Sequence, residues 1–279
     1  MNFTVLATSL NPILALYLDY YGAGNLLCKG DDILVALPPG CLITAIAPLG
    51  NSLILAVQST TEDYSPDQNN GLWFYNGKTS LLFQSSKLYL VTCIIPVRDF
   101  FYLIEAASGN VYIYKDKSLR LLVGSSSNGI TDYYSGLGGA SVLNTPQYNQ
   151  LKKGPGIATG LLEGNTLFLV NYGRGTIIRV QLTSDFQAWT GLPTKQYENI
   201  FRYTYSGMVR RSKSTFFSTT LNLFPNTKVS NSLLEFKDGK EIAHQSLEFG
   251  AMAAMILLDD EIVFSCFESG TWSIKKVVL

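Results

Sequence analysis

A short phrase recurs six times in this chain, and its spacing limits the fold more than any single residue does. Each copy has a small-residue pair, five intervening residues, a turn position that is usually Asn or Asp, then an apolar β run. The pairs are Thr4-Val5, Thr44-Ala45, Thr92-Cys93, Ala158-Thr159, Ser206-Gly207 and Ala253-Ala254, with Asn11, Asn51, Asp99, Asn165, Lys213 and Asp260 at the turns. Successive pairs stand 40, 48, 66, 48 and 47 residues apart. Self-similarity at a period in the forties marks a propeller or another repeat array. Asn and Asp suit such turns because they tolerate positive φ and hydrogen-bond their own backbone.

Each copy resolves into four short β runs. The second reads Leu42–Pro48, Ser52–Gln58, Gly71–Tyr75 and Ser80–Phe83, with Asn76-Gly77 as a tight hairpin turn. The first copy reads Phe3–Ser9, Ile13–Leu18, Asn25–Cys28 and Ile33–Leu37, and the fourth ends in a weaker Phe186–Trp189. Four antiparallel strands repeated radially form a β-propeller. A solenoid repeats at shorter intervals, and a sandwich has no reason to repeat one phrase in register. The expectation is one all-β domain over 1–279, a six-bladed β-propeller with blades at 1–38, 39–86, 87–124, 154–192, 200–248 and 249–279 and an insertion at 125–153. After Glu261–Phe267 too little chain remains for a full sixth blade, and only Met1–Phe3 precede the first pair. The last blade is therefore expected to be incomplete, with three strands or a stub fourth. The small pairs are expected on the innermost strands, where side chains crowd.

One stretch, Leu121 to Leu182, resembles the NHL-repeat propellers. It runs through Val123-Gly124, Gly129-Ile130-Thr131-Asp132, Gly139-Ala140-Ser141-Val142-Leu143-Asn144-Thr145-Pro146 and Gly156-Ile157-Ala158. It continues with Gly164-Asn165-Thr166-Leu167-Phe168-Leu169-Val170-Asn171 and Thr176-Ile177-Ile178-Arg179-Val180. Asn171 stands where that family usually has Asp, and Gln147 to Pro155 separates the Pro from the Gly-Ile-Ala strand. The resemblance implies the fold far more than a function.

Composition narrows the function classes. Lys+Arg and Asp+Glu are equal at 21, so no global field recruits nucleic acid or an acidic membrane. Apolar residues make up 47% of the chain and charged residues 15%, which suits a large core under a lightly charged surface. The apolar start, Met1 to Leu18, lacks a basic lead and is interrupted by Asn11-Pro12, so it reads as strand rather than signal peptide. No stretch is long enough to cross a membrane as a helix. This reading favours a cytoplasmic or virion-associated setting. The aromatic-rich, neutral, histidine-poor chain would suit a viral or hyperthermophile protein. Cys28, Cys41, Cys93 and Cys266 lack metal-ligand spacing. Cys93 and Cys266 read as buried thiols, and nothing demands a Cys28–Cys41 disulfide.

The single histidine, His244, falls on an outer strand, away from any axial site for Ser-His-Asp or Cys-His chemistry. The reading is a non-enzymatic protein-binding or scaffold module without a cofactor, a small molecule remaining a second ligand class. Contacts are expected through two long connections. One is the insertion Ser125–Pro155 with Tyr133, Tyr134 and Tyr148, and the other is the acidic Thr60–Asn70. An alternative is a calcium-dependent lactonase-like enzyme, since sugar-lactonase propellers are similar in fold and hold calcium through Glu, Asn and Asp oxygens. Glu105 and Asn171, at corresponding strand ends, and Glu268, just past the corresponding position, would be the ligands. A second alternative is RNA binding through Arg202, Arg210 and Arg211 beside Lys213, which the neutral chain disfavours.

Overall fold

The computed structural model describes residues 3–59, 69–85, 87–88, 90–106, 109–123, 157–171, 176–190, 194–198, 204–212, 215–221, 231–237, 240–247 and 252–278. All of the described regular structure is β-strand, in four-stranded antiparallel sheets. The chain divides into two compact units, Met1–Pro96 with Phe249–Leu279, and Val97–Glu248.

The first unit holds three sheets. One consists of β1 (Thr4–Ser9), β24 (Thr271–Val278), β23 (Glu261–Glu268) and β22 (Met252–Leu258), in that order from edge to edge. The next is β2 (Ile13–Tyr17), β3 (Tyr20–Ala23), β4 (Leu26–Lys29) and β5 (Asp32–Ala36). The third is β6 (Cys41–Leu49), β7 (Ser52–Ser59), β8 (Gly71–Tyr75) and β9 (Thr79–Gln84). The strand β2 contacts both β6 and β22, so the three sheets meet along their first strands.

The period-2 alternation of strand side chains divides the core of this unit into two layers. Tyr21, Ala23 and Cys28 point to one face of the β2–β5 sheet and pack with Val263, Trp272 and Ile274. Ala15 and Leu27 point to the other face and pack with Ile43, Ile46, Leu55, Val57 and Trp73. Cys28 and Cys41 belong to different layers, and all four cysteines are free thiols. Cys266 is buried as expected, whereas Cys93 is only half-buried.

In the second unit β14 (Ile157–Glu163), β15 (Thr166–Asn171), β16 (Thr176–Gln181) and β17 (Thr194–Glu198) form one sheet. A second joins β18 (Thr204–Ser212), β19 (Thr215–Leu221), β20 (Asn231–Lys237) and β21 (Lys240–Leu247). Phe168, Val170 and Ile177 of the one pack on Met208 of the other. The remaining sheet is β10 (Val91–Val97), β11 (Phe100–Glu105), β12 (Asn110–Lys115) and β13 (Ser118–Val123).

The pairing corrects the expected six-bladed propeller with an unfinished last blade. The sheet of β22, β23 and β24 is complete, because β1 pairs with β24 from Thr4↔Lys276 to Ser9↔Trp272. The pair Thr4-Val5 thus stands on an outermost strand, not an innermost one, and the blade drawn over 1–38 loses its first strand. Its true first strand is β2, and Tyr20–Ala23, unmarked in the sequence reading, is its second. Five sheets fall wholly within one unit or the other, while β10 begins before the division and ends on it, so the expected count of six equivalent blades is not retained. Phe186–Trp189 is also corrected. It lies in turns beside the bridge Leu182↔Trp189, and the fourth strand is β17.

The small pairs have a local cause. Register shifts fall between Ile43 and Ala45, Ile157 and Thr159, Tyr205 and Gly207, and Met252 and Met255. Four of the six pairs therefore sit at β-bulges in the first strand of a sheet, where one residue goes unpaired and the backbone bends. Thr44, at one bulge, uses its hydroxyl to donate to the carbonyl oxygen of Val91 at 2.6 Å. The turns also differ from expectation by one position. The left-handed residue is the one before the repeated Asn or Asp, namely Gly50, Arg98, Gly164 and Asp259.

Candidate interaction surface

The geometry of β1 creates the most distinctive surface among the described residues of the first unit. Its sequence, Thr-Val-Leu-Ala-Thr-Ser, is uncharged, and its β-branched Thr4, Val5 and Thr8 favour a strand. It is the edge of its sheet, and no further strand pairs with it among the described residues. Edge strands are usually blunted by charge, Pro or a covering element. Here the device is a bulge between Val5 and Ala7, which leaves Leu6 as the extra residue.

Beside β1 opens a cleft of about 480 Å³. Val5 to Ser9 form one wall. Tyr21 and Ala23 of β3, Leu26 and Cys28 of β4, and Asp31 and Ile33 at the start of β5 form the other. Val5, Leu6 and Ile33 are 54%, 46% and 64% exposed, so large apolar side chains meet water along its mouth. Single exposed apolar residues are ordinary, but a contiguous set around a concavity marks a contact site. Asp31 is the one charged side chain in the lining. The Tyr21 hydroxyl donates to the carbonyl oxygen of Gly30 at 3.1 Å. Burial, reinforced by Cys28 and Asp31, pushes its pKa up to about 12. Burial also raises the Cys28 thiol, keeping it protonated at neutral pH.

The sequence-derived candidates fall elsewhere. Tyr133, Tyr134, Tyr148 and Arg202 lie outside the described residues, as does most of Thr60–Asn70. Arg210 is paired with Glu163, and burial lowers the pKa of its guanidinium. Arg211 is exposed. A basic patch for a phosphate backbone needs free cations, and Arg210 is committed to a carboxylate.

Of the alternative metal set, Glu105 is buried at the end of β11, and Asn171 ends β15. Glu268 belongs to the first unit, where the Lys275 ammonium donates to it at 2.6 Å. Among the described residues no three His, Cys, Asp or Glu side chains gather as metal ligands. His244 lies on β21, the outermost strand of its sheet, opposite Leu234. No described helix is long and apolar enough to cross a membrane.

Sequence reasoning missed the cleft because it depends on β1 docking beside a sheet that follows it in the chain. A usable signal was present. β1 has no charge to protect it as an edge, and Ile33 stands two places beyond Asp31 on a short outer strand.

No protein-family model matches the chain, and no curated protein matches it. Solved structures do. The chain is similar to a calcium-binding protein, regucalcin, from Agrobacterium tumefaciens strain C58, at 12% identity and a TM-score of 0.63. That match covers 98% of this chain and 94% of the other. It is also similar to a chain in a crystal structure of the mitotic checkpoint complex, at 10% identity and a TM-score of 0.58, covering 100% of this chain and 91% of that one. At such identities the likeness shows the fold alone, an all-β propeller.

Proposed function

We propose that the chain is a non-enzymatic protein-binding module on an NHL-like propeller scaffold. The observation that carries this reading is the cleft beside the uncharged edge strand β1, with Val5, Leu6 and Ile33 exposed along its mouth. Exposed apolar surface around a concavity is costly in water and is what a protein contact covers. The likeness to a chain of a multiprotein complex agrees with this use of the fold. The insertion Ser125–Pro155 and the connection Thr60–Asn70 belong to the same proposal as further contact surface.

The test is affinity capture with wild type and a Leu6→Lys variant side by side. Leu6 is substantially exposed, so the lysine is compatible with folding. Protein ligands retained by the wild type and lost from the folded variant support the reading. Equal retention by both removes the cleft as its basis.

A further inference from the structure

We infer that the cleft takes an extended segment of a partner protein, which adds to β1 as a further strand and points a lysine or arginine at Asp31. This inference rests on the protein-binding reading and names the form of the ligand.

The backbone supplies the first argument. An edge strand presents a row of N–H and C=O groups that only water satisfies, and an added strand satisfies them with main-chain bonds. A docked helix leaves that row unpaired, since its own backbone groups are bonded internally. The bulge at Leu6 limits where a ladder can run. Pairing is regular from Ala7↔Ile274 to Ser9↔Trp272, so a guest strand is confined to a short stretch. That favours a peptide segment over a long sheet-to-sheet interface.

The side chains supply the second. Successive residues of a guest strand alternate in direction, so every other side chain faces the same wall. That wall offers Leu26 and Ile33, which suit aliphatic residues at alternate positions. Asp31 supplies the only charge in the lining, which calls for a cation on the guest. A second copy of this chain pairing through its own β1 would bring no cation, because Thr4–Ser9 contains none.

The experiment uses a phage-displayed library of random peptides selected on the full chain. Selected sequences are synthesised with and without N-methylation of alternate backbone amides. Affinities are read by fluorescence anisotropy on wild type, Ile33→Lys and Asp31→Asn. The expected result is selection of alternating apolar peptides carrying Lys or Arg, with at least tenfold weaker binding after N-methylation and on Ile33→Lys. Asp31→Asn should weaken binding several-fold, and only for peptides that carry the cation. An unchanged melting temperature verifies that each variant is folded.

Binding that ignores N-methylation overturns strand addition, and binding that ignores Ile33→Lys overturns the site; both leave the protein-binding reading standing. A sedimenting dimer dissolved by Ile33→Lys assigns the cleft to a second copy and overturns the inference. A parallel library of folded domains separates the remaining cases. Binders from that library alone overturn the inference but keep the reading, and binders from neither remove both.

Discussion

Gly22 of β3 lies so close to Ile43 of β6 that a β-carbon added to it would sit 2.6 Å from Ile43 Cβ and 3.2 Å from the Ile43 carbonyl oxygen. Here the β2–β5 sheet meets the first strand of the β6–β9 sheet in close contact. The amide of Ile43 also donates to the carbonyl oxygen of Gly24 at 2.9 Å, so the backbone cannot back away without losing that bond. Gly22→Ala is therefore expected to overpack the junction and destabilise the protein by about 1–3 kcal/mol. Thermal unfolding measures it, and an unchanged midpoint would show that the sheets can part.

Leu18 turns the corner between β2 and β3 with φ of 52° and is half exposed. A left-handed conformation costs an ordinary residue about 1–2 kcal/mol, and Asn tolerates it better through local hydrogen bonding. Leu18→Asn should raise the melting temperature, by an amount equivalent to at most about 1 kcal/mol. A lower midpoint would mean that the Leu18 side chain contributes packing that outweighs the backbone strain.

Ala7 and Thr8 are adjacent on β1 and pair with Ile274 and Ser273. In an antiparallel pair, backbone groups of successive residues point to opposite sides, so one of the two N–H groups faces β24 and the other the open edge. Proline removes the N–H, and sheets tolerate it only on the open side. Of Ala7→Pro and Thr8→Pro, one should destabilise clearly and the other much less. Equal losses in the two midpoints would contradict β1 as a free edge.

Tyr21 carries a pKa raised by burial to about 12, against an ordinary value near 10. The unfolded chain therefore releases this proton first. The sign follows from linkage: the stability contributed is fully present below pH of about 10 and falls as pH rises toward 12. Alkaline unfolding should be steeper in wild type than in Tyr21→Phe over that window. Parallel curves, or a tyrosinate absorbance titrating near 10 in a variant retaining only Tyr21, would contradict the burial.

Purified protein is expected to show no lactonase or esterase turnover, with or without added calcium, because its only histidine is on an outermost strand and Glu268 is held by Lys275. Differential scanning fluorimetry with calcium provides the complementary reading. A strong rise in melting temperature that Glu105→Ala abolishes would restore the calcium-dependent alternative.

Much of the strand pattern was legible, and the places where it failed have physical causes. The run Leu42–Pro48 around Thr44 stands within one residue of its strand at each end because alternation and the turn at Asn51 agree there. The first copy misled because Thr4-Val5 and Asn11 imitate the phrase on a strand with another role. Asn11 does take a turn there, its amide donating to the Ser9 hydroxyl at 3.0 Å. The true counterpart is shorter. The bulge of β2 spans Leu14, only five residues before Asp19, so a seven-residue rule skips it. Tyr20–Ala23 escaped notice because four residues between two turns carry little periodicity. The cleft was legible only in its uncharged edge strand. Its two walls are joined by tertiary packing, and neither Val5 nor Ile33 has a local motif.

The pairing of Thr4 with Lys276 sets an order of events on the ribosome. β1 emerges before β24, its only described partner strand, and most of the described chain separates the two. At about 5–20 residues per second, synthesis of the intervening chain takes roughly 10–50 s. Throughout that interval an uncharged, β-prone hexapeptide waits with both edges open. Chaperone dependence, and the yield on expression at different translation rates, should therefore respond to Leu6→Lys more strongly than the equilibrium stability of the finished protein does.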